Sequence, residues 1–170
     1  AAGGFTFYFY RPKKEKRTES IYTHALNAMV RGDTRTALKH LRDVVKQDTN
    51  HIDAYLQMGD ILREEGNAQA AVKIHQSLTV RPNLNNDISR DIHQSLALDF
   101  KQIGHLNKAK REAELVLKLD RKNLWANEFL LDIYENQRNW DQATQITKSI
   151  QKLKQSQDPN QIARFLVYQG

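Results

Sequence analysis

The chain has 170 residues, 39% apolar and 27% charged, with three prolines, seven glycines and no cysteine. The lack of a thiol excludes disulfides, cysteine nucleophiles and thiolate metal sites within these residues, and it fits a reducing compartment. The formal charge is +6, of which residues 11–17, RPKKEKR, supply +4 from five basic side chains and one acidic. The +2 left over the rest of the chain is too little for a phosphate-tracking surface and disfavours direct nucleic-acid binding.

The first ten residues, AAGGFTFYFY, are uncharged and aromatic at Phe5, Phe7, Tyr8, Phe9 and Tyr10, and the basic run follows at once. Ten residues cannot cross a bilayer, which takes about 20. Aromatic residues favour the membrane interface, however, and Lys and Arg collect on its cytoplasmic side. Residues 1–14 therefore read as the end of a membrane anchor followed by a basic juxtamembrane segment, Arg11, Lys13, Lys14, Lys16 and Arg17, that would meet an anionic membrane surface. The plainer reading is a tail or tag remnant.

Residues 15–170 read as helical hairpins. The first helix, from about Glu15, carries Ile21, Ala25, Ala28 and Met29 at helical spacing; Gly32-Asp33 ends it, and the next runs to about Gln47 with Ala37, Leu38, Leu41, Val44 and Val45 inward. The second pair presents Tyr55, Met58, Gly59 and Leu62, then Ala71, Val72, His75 and Leu78, with Gly59 small because a facing helix must approach there. Proline and three asparagines in RPNLNN, from Arg81, mark a loop. A third pair follows with Leu96, Ala97 and Phe100, then Ala109, Ala113, Val116 and Leu117; the fourth has Leu130, Leu131 and Tyr134, then Trp140, Ala143, Ile146 and Ile150. Beyond Asp158-Pro159, Ile162, Phe165 and Leu166 recur at helical spacing. The repeats are read as 18–51, 52–85, 90–123 and 124–157, with a trailing helix at 159–168.

Ala37, Ala71, Ala109 and Ala143 fall in register at steps of 34, 38 and 34 residues. Gly32, Gly66 and Gly104 keep those steps, with Arg138-Asn139 standing in for the fourth turn. A 34-residue helix-turn-helix period is the signature of tetratricopeptide repeats. The expected fold is therefore all-α, a right-handed superhelical solenoid of antiparallel helix hairpins.

A narrower resemblance covers the same region. The runs GDILREEG from Gly59 and AVKIHQSL from Ala71, with the four-residue expansion before the third repeat, resemble the lipopolysaccharide assembly protein B family. That resemblance implies an N-terminal membrane helix, cytoplasmic repeats at the inner membrane and a C-terminal metal knuckle. It also implies an adaptor role, bringing a membrane-bound protease to the deacetylase that commits lipid A synthesis. This chain has no complete membrane helix and no cysteine, so the knuckle is absent from it and no cofactor is expected.

No catalytic site is legible. The six histidines, His24, His40, His51, His75, His93 and His105, are scattered, without metal-ligand spacing, and His75 reads as a core residue bonded within the packing. No nucleophile elbow or glycine-rich phosphate loop is present, and the chain is read as a non-enzyme. A protein or peptide partner is expected in a concave groove lined by the first helix of each repeat. The groove-facing candidates are Leu56, Gln57, Asp60 and Arg63, then Gln94, Leu98 and Lys101, then Trp125, Glu128, Phe129 and Asp132. Trp125 and Phe129 either face the groove or pack against a neighbouring repeat. One tetratricopeptide subclass grips a C-terminal carboxylate with Lys, Asn and Arg; here Leu26, Asp60, Leu98 and Asp132 stand where asparagine is needed, and Asp91 and Ser95 where basic residues are needed. Side-chain capture of a helix or extended segment is expected instead. The rival reading is a general peptide-binding scaffold of another envelope or secretion complex, either on the cytoplasmic face of the inner membrane or simply cytoplasmic.

Overall fold

The computed structural model describes residues 5–155 together with 162, 163, 165, 167 and 168, with side chains from residue 15 onward. The chain divides into two compact units, Ala1–Val80 and Arg81–Gly170.

The first unit holds α1 (Phe5–Val30), α2 (Thr34–Gln47), α3 (Ile52–Glu64) and α4 (Ala68–Thr79), each packed on its neighbour in sequence. Its core gathers Ala25, Ala28, Ala37, Leu38, Leu41, Val44, Ala54 and Ile61, with Ile21, Tyr22, Met29, Val45, Met58 and Leu62 packed around them. Four of the eight core residues are alanines, and side chains this short let helix axes approach to about 8–10 Å.

The second unit holds α5 (Asn86–Gln102), α6 (Leu106–Leu119), α7 (Leu124–Asn136) and α8 (Trp140–Leu153), again packed in sequence order. Ile92, Leu96, Phe100, Ala109, Ala113, Val116, Ala126, Leu130, Ile133, Ala143 and Ile150 are buried. Residues 162, 163, 165, 167 and 168 are helical, and Phe165 is buried, its ring stacked 5.9 Å from that of Trp140. The rest of the expected trailing helix, Leu166 included, lies outside the described residues.

One turn closes all four hairpins. Gly32, Gly66, Gly104 and Arg138 take the left-handed conformation, at φ of 72°, 86°, 76° and 54°. In each turn that residue's N–H and the next one reach back to carbonyls in the last helical turn, as in Asn67 N–H to Leu62 O at 2.8 Å and Asn139 N–H to Tyr134 O at 2.9 Å. This double bond pattern satisfies carbonyls that the helix end leaves without partners. The following residue then caps the next helix: Asp33, Asn67 and Asn139 accept from Thr36, Ala70 and Gln142 N–H, whereas His105 makes no side-chain cap bond. Thr36, first through its side-chain hydroxyl and then through its N–H, holds the Asp33 carboxyl below the usual carboxylate range.

The sequence places the start of the first helix near Glu15; α1 begins at Phe5. Residues 13–17, KKEKR, are strong helix formers. Pro12, the one interruption, lacks an N–H and so removes a single backbone bond without ending the helix. Among the described residues no helix is long and apolar enough to cross a membrane.

Candidate partner-binding face

In the second unit, α5 brings Gln94, Leu98 and Lys101 onto one side, at steps of four and three residues, and α7 does the same with Trp125, Glu128, Phe129 and Asp132. The two helices are not consecutive, yet the Lys101 ammonium lies 2.6 Å from Asp132 Oδ2 and 5.4 Å from the centre of the Phe129 ring. Trp125 stacks on Phe129 with ring centres 5.0 Å apart and planes inclined by 25°. A charged pair, a cation over an aromatic face and an aromatic stack thus form one continuous strip. Cation–ring contacts of this kind contribute about 0.5–1 kcal/mol when exposed.

The strip is partly open. Gln94, Leu98 and Trp125 are half-buried, the Lys101 and Asp132 side chains are 40% and 47% exposed, and Glu128 is exposed while bonded to Lys154 at 2.6 Å. Phe129 is 7% exposed and serves as the buried support on which Trp125 and Lys101 rest. The two orientations left open for these aromatics are therefore divided, Trp125 flanking the surface and Phe129 joining the core.

In the first unit the candidates sit deeper. Leu56 is 8% exposed and joins the core, and the ring of His75 on α4 lies against the α3 backbone there. His75 is fully buried and its Nε2 lies 3.2 Å from Leu56 O, so that nitrogen carries the proton and donates. Gly59 sits directly beneath that ring: a Cβ built on it would stand 2.5 Å from His75 Cε1 and 2.8 Å from Cδ2. The close approach expected at Gly59 is thus made by a side chain of the facing helix. Asp60 and Arg63 pair at 2.6 Å with side chains 26% and 13% exposed, and Gln57 is half-buried beside them.

Of the basic juxtamembrane residues, Lys16 and Arg17 are exposed; the side chains of Arg11, Lys13 and Lys14 lie outside the described residues. No cluster of three or more His, Asp or Glu suited to a metal ion occurs among the described residues. His93 and Glu112 form a cross-helix pair at 2.7 Å joining α5 to α6. Sequence reasoning did not find Lys154, because a pairing across 26 residues leaves no local spacing to read.

No family model matches the chain. Lipopolysaccharide assembly protein B of Escherichia coli (strain K12) is 24% identical over 149 residues, covering 88% of this chain and 38% of its own length. The Haemophilus influenzae protein of the same name is 24% identical over 180 residues, covering 96% and 45%. The chain thus spans less than half the length of these curated relatives. Among solved structures, MamA of Desulfovibrio magneticus RS-1 superposes with a TM-score of 0.72 at 18% identity, over 83% of this chain and 77% of that one. A tetratricopeptide repeat protein of Parabacteroides merdae ATCC 43184 gives 0.75 at 16% identity, over 90% and 59%. YrrB, a tetratricopeptide protein with an unusual peptide-binding site, gives 0.65 at 14%, over 86% and 73%. The fold is all-α and that of tetratricopeptide proteins, and the sequence resembles lipopolysaccharide assembly protein B.

Proposed function

We propose that this chain acts as a non-catalytic adaptor, a membrane-held regulator of lipopolysaccharide assembly that brings a protease and its client together at the cytoplasmic face of the inner membrane. The observation that carries this reading is the likeness to lipopolysaccharide assembly protein B along 88% of the chain. The strip on α5 and α7 supplies the means. An apolar body at Trp125 and Leu98, flanked by Lys101, Asp132 and Glu128, suits a peptide or helix held through its side chains. The basic residues from Arg11 to Arg17 would meet anionic headgroups, and the adaptor needs no cofactor.

A second reading, a general peptide-binding scaffold of another envelope or secretion complex, draws on the likeness to YrrB, whose own site binds peptide. Affinity capture from a Gram-negative envelope fraction separates the two. Recovery of a membrane protease together with a lipid A-pathway deacetylase supports the first, and recovery of an unrelated assembly supports the second. The double variant Trp125→Ser with Leu98→Ser should lose capture while keeping the helical circular dichroism signal. Undiminished capture by that variant places the partner elsewhere.

A further inference from the structure

The first unit carries a charged feature that the groove does not use. On α2, Arg35, Lys39, Arg42 and Lys46 recur at steps of four, three and four residues, which puts them in one row along the helix, and all four are exposed. The opposite side of the helix, Ala37, Leu38, Leu41 and Val44, is buried in the core, so the row faces outward along its whole length. Neighbours of like charge at this spacing repel, and the helix has no acidic residue in its first turn to offset Arg35. The one carboxylate on the helix, Asp43, lies 3.9 Å from Lys46, a pair that is 43% and 75% exposed. Among the described residues no carboxylate comes within 4.0 Å of Arg35, Lys39 or Arg42. The row is a cationic face held on a rigid support, offset only by Asp43 beside Lys46 and by the Asp33 cap, whose carboxylate feels Arg35.

Its place in the unit decides what it faces. The Thr18 hydroxyl donates to Gln47 Oε1 at 3.4 Å, so the Lys46 end of α2 lies against the part of α1 that continues into residues 11–17. The Lys46 end of the row therefore lies beside the basic run, and the row extends from there about 16 Å along α2 to Arg35 at the turn end of the hairpin. Ahead of that run α1 begins with FTFYFY, an uncharged aromatic stretch with the composition of a bilayer interface. The row has no apolar residue among its four members, so a folded protein partner would find no anchor to bury, whereas a sheet of headgroup phosphates needs none.

We infer that the outer face of α2, through Arg35, Lys39, Arg42 and Lys46, is a second contact with an anionic lipid bilayer, added to the basic run. This rests on the reading that the chain sits at a membrane. Sedimentation of the 170-residue chain with vesicles tests it, comparing phosphatidylcholine alone with equal parts of phosphatidylcholine and phosphatidylglycerol. Parent protein should bind the anionic vesicles, more weakly as salt rises, and should not bind the neutral ones. Replacing all four residues by Glu should weaken binding roughly ten- to hundred-fold with residues 11–17 intact, and replacing them by Gln should have a smaller effect in the same direction. The positions are exposed, and circular dichroism checks that both variants remain folded.

If the four-residue variants bind as the parent does while neutralising residues 11–17 abolishes binding, the inference falls and the membrane reading stands. If the parent ignores anionic vesicles, both fall. Tighter binding to duplex DNA than to the vesicles at equal salt overturns the lipid assignment in favour of nucleic acid.

Discussion

Replacing Gly59 by Ala sets two opposed effects against each other. Alanine is the better helix former by about 1 kcal/mol, and α3 is otherwise regular around this position, so propensity alone forecasts a more stable protein. The packing forecasts the reverse. The new methyl would overlap the His75 ring, which is fully buried and has no open side to move into. Overpacking of a filled core costs about 1–3 kcal/mol. Driving the ring away also breaks the Nε2–H bond to Leu56 O and leaves a buried carbonyl without its donor, a further loss of about 1–3 kcal/mol. Subtracting the propensity gain, Gly59→Ala should be less stable by about 1–5 kcal/mol, or roughly 2–20 °C in Tm for a chain of this size. Urea unfolding followed by circular dichroism reads the difference directly. The double variant Gly59→Ala with His75→Ala should be less damaged than the two single losses added, because the methyl then occupies space the ring has left. A Gly59→Ala protein as stable as its parent, or a strictly additive double variant, would refute the account of this contact.

Three further substitutions test the turns and the core. Arg138 is a non-glycine residue at a turn where the other hairpins use glycine, so Arg138→Gly should raise stability by about 0.5–1 kcal/mol in thermal melts. Thr147 is 2% exposed and its hydroxyl has no hydrogen-bond partner among the described residues; Thr147→Val, of nearly the same volume, should stabilise by about 1 kcal/mol in the same assay. Asp33 is more acidic in the folded protein than its ordinary value of 3.8, chiefly through Thr36. Its contribution is therefore present above that value and lost as pH falls through the lower folded one. Between pH 5 and pH 2, Asp33→Asn should show a shallower decline in unfolding midpoint than the parent, and parallel declines would count against the cap's role.

The fold was legible because its punctuation is chemical. A left-handed turn residue is most often glycine, so Gly32, Gly66 and Gly104 announce the hairpins, and Arg138 is found only because the step from Ala109 to Ala143 keeps the register. Gly59 was legible as a point of close approach, but the identity of the approaching group was not, since His75 is sixteen positions along the chain and its rotamer is decided by packing. For Trp125 and Phe129 the helical period puts both on one side of α7, and only the roll of that helix against its neighbours decides that the second is buried and the first is not. Leu56 illustrates the same limit, an apolar residue beside a groove position that the packing draws inward. The early start of α1 was hidden by Pro12, whose usual meaning as a helix breaker is outweighed here by the Lys, Glu and Arg residues beyond it.

Within each unit every helix packs chiefly on the helix before or after it, so nearly all native contacts close over a few tens of residues of chain. Short loops cost little entropy to close, and proteins built this way fold in microseconds to milliseconds. A hairpin can then open and reclose without dismantling the unit, and amide exchange should rise toward whichever hairpin buries least. The Lys101–Asp132 pair is an exception to this local order, tying α5 to α7 across α6. A bound segment lying over both helices would lengthen that tie into a clamp. Retarded exchange in α6, a helix the segment need never touch, would then be the signature of occupancy.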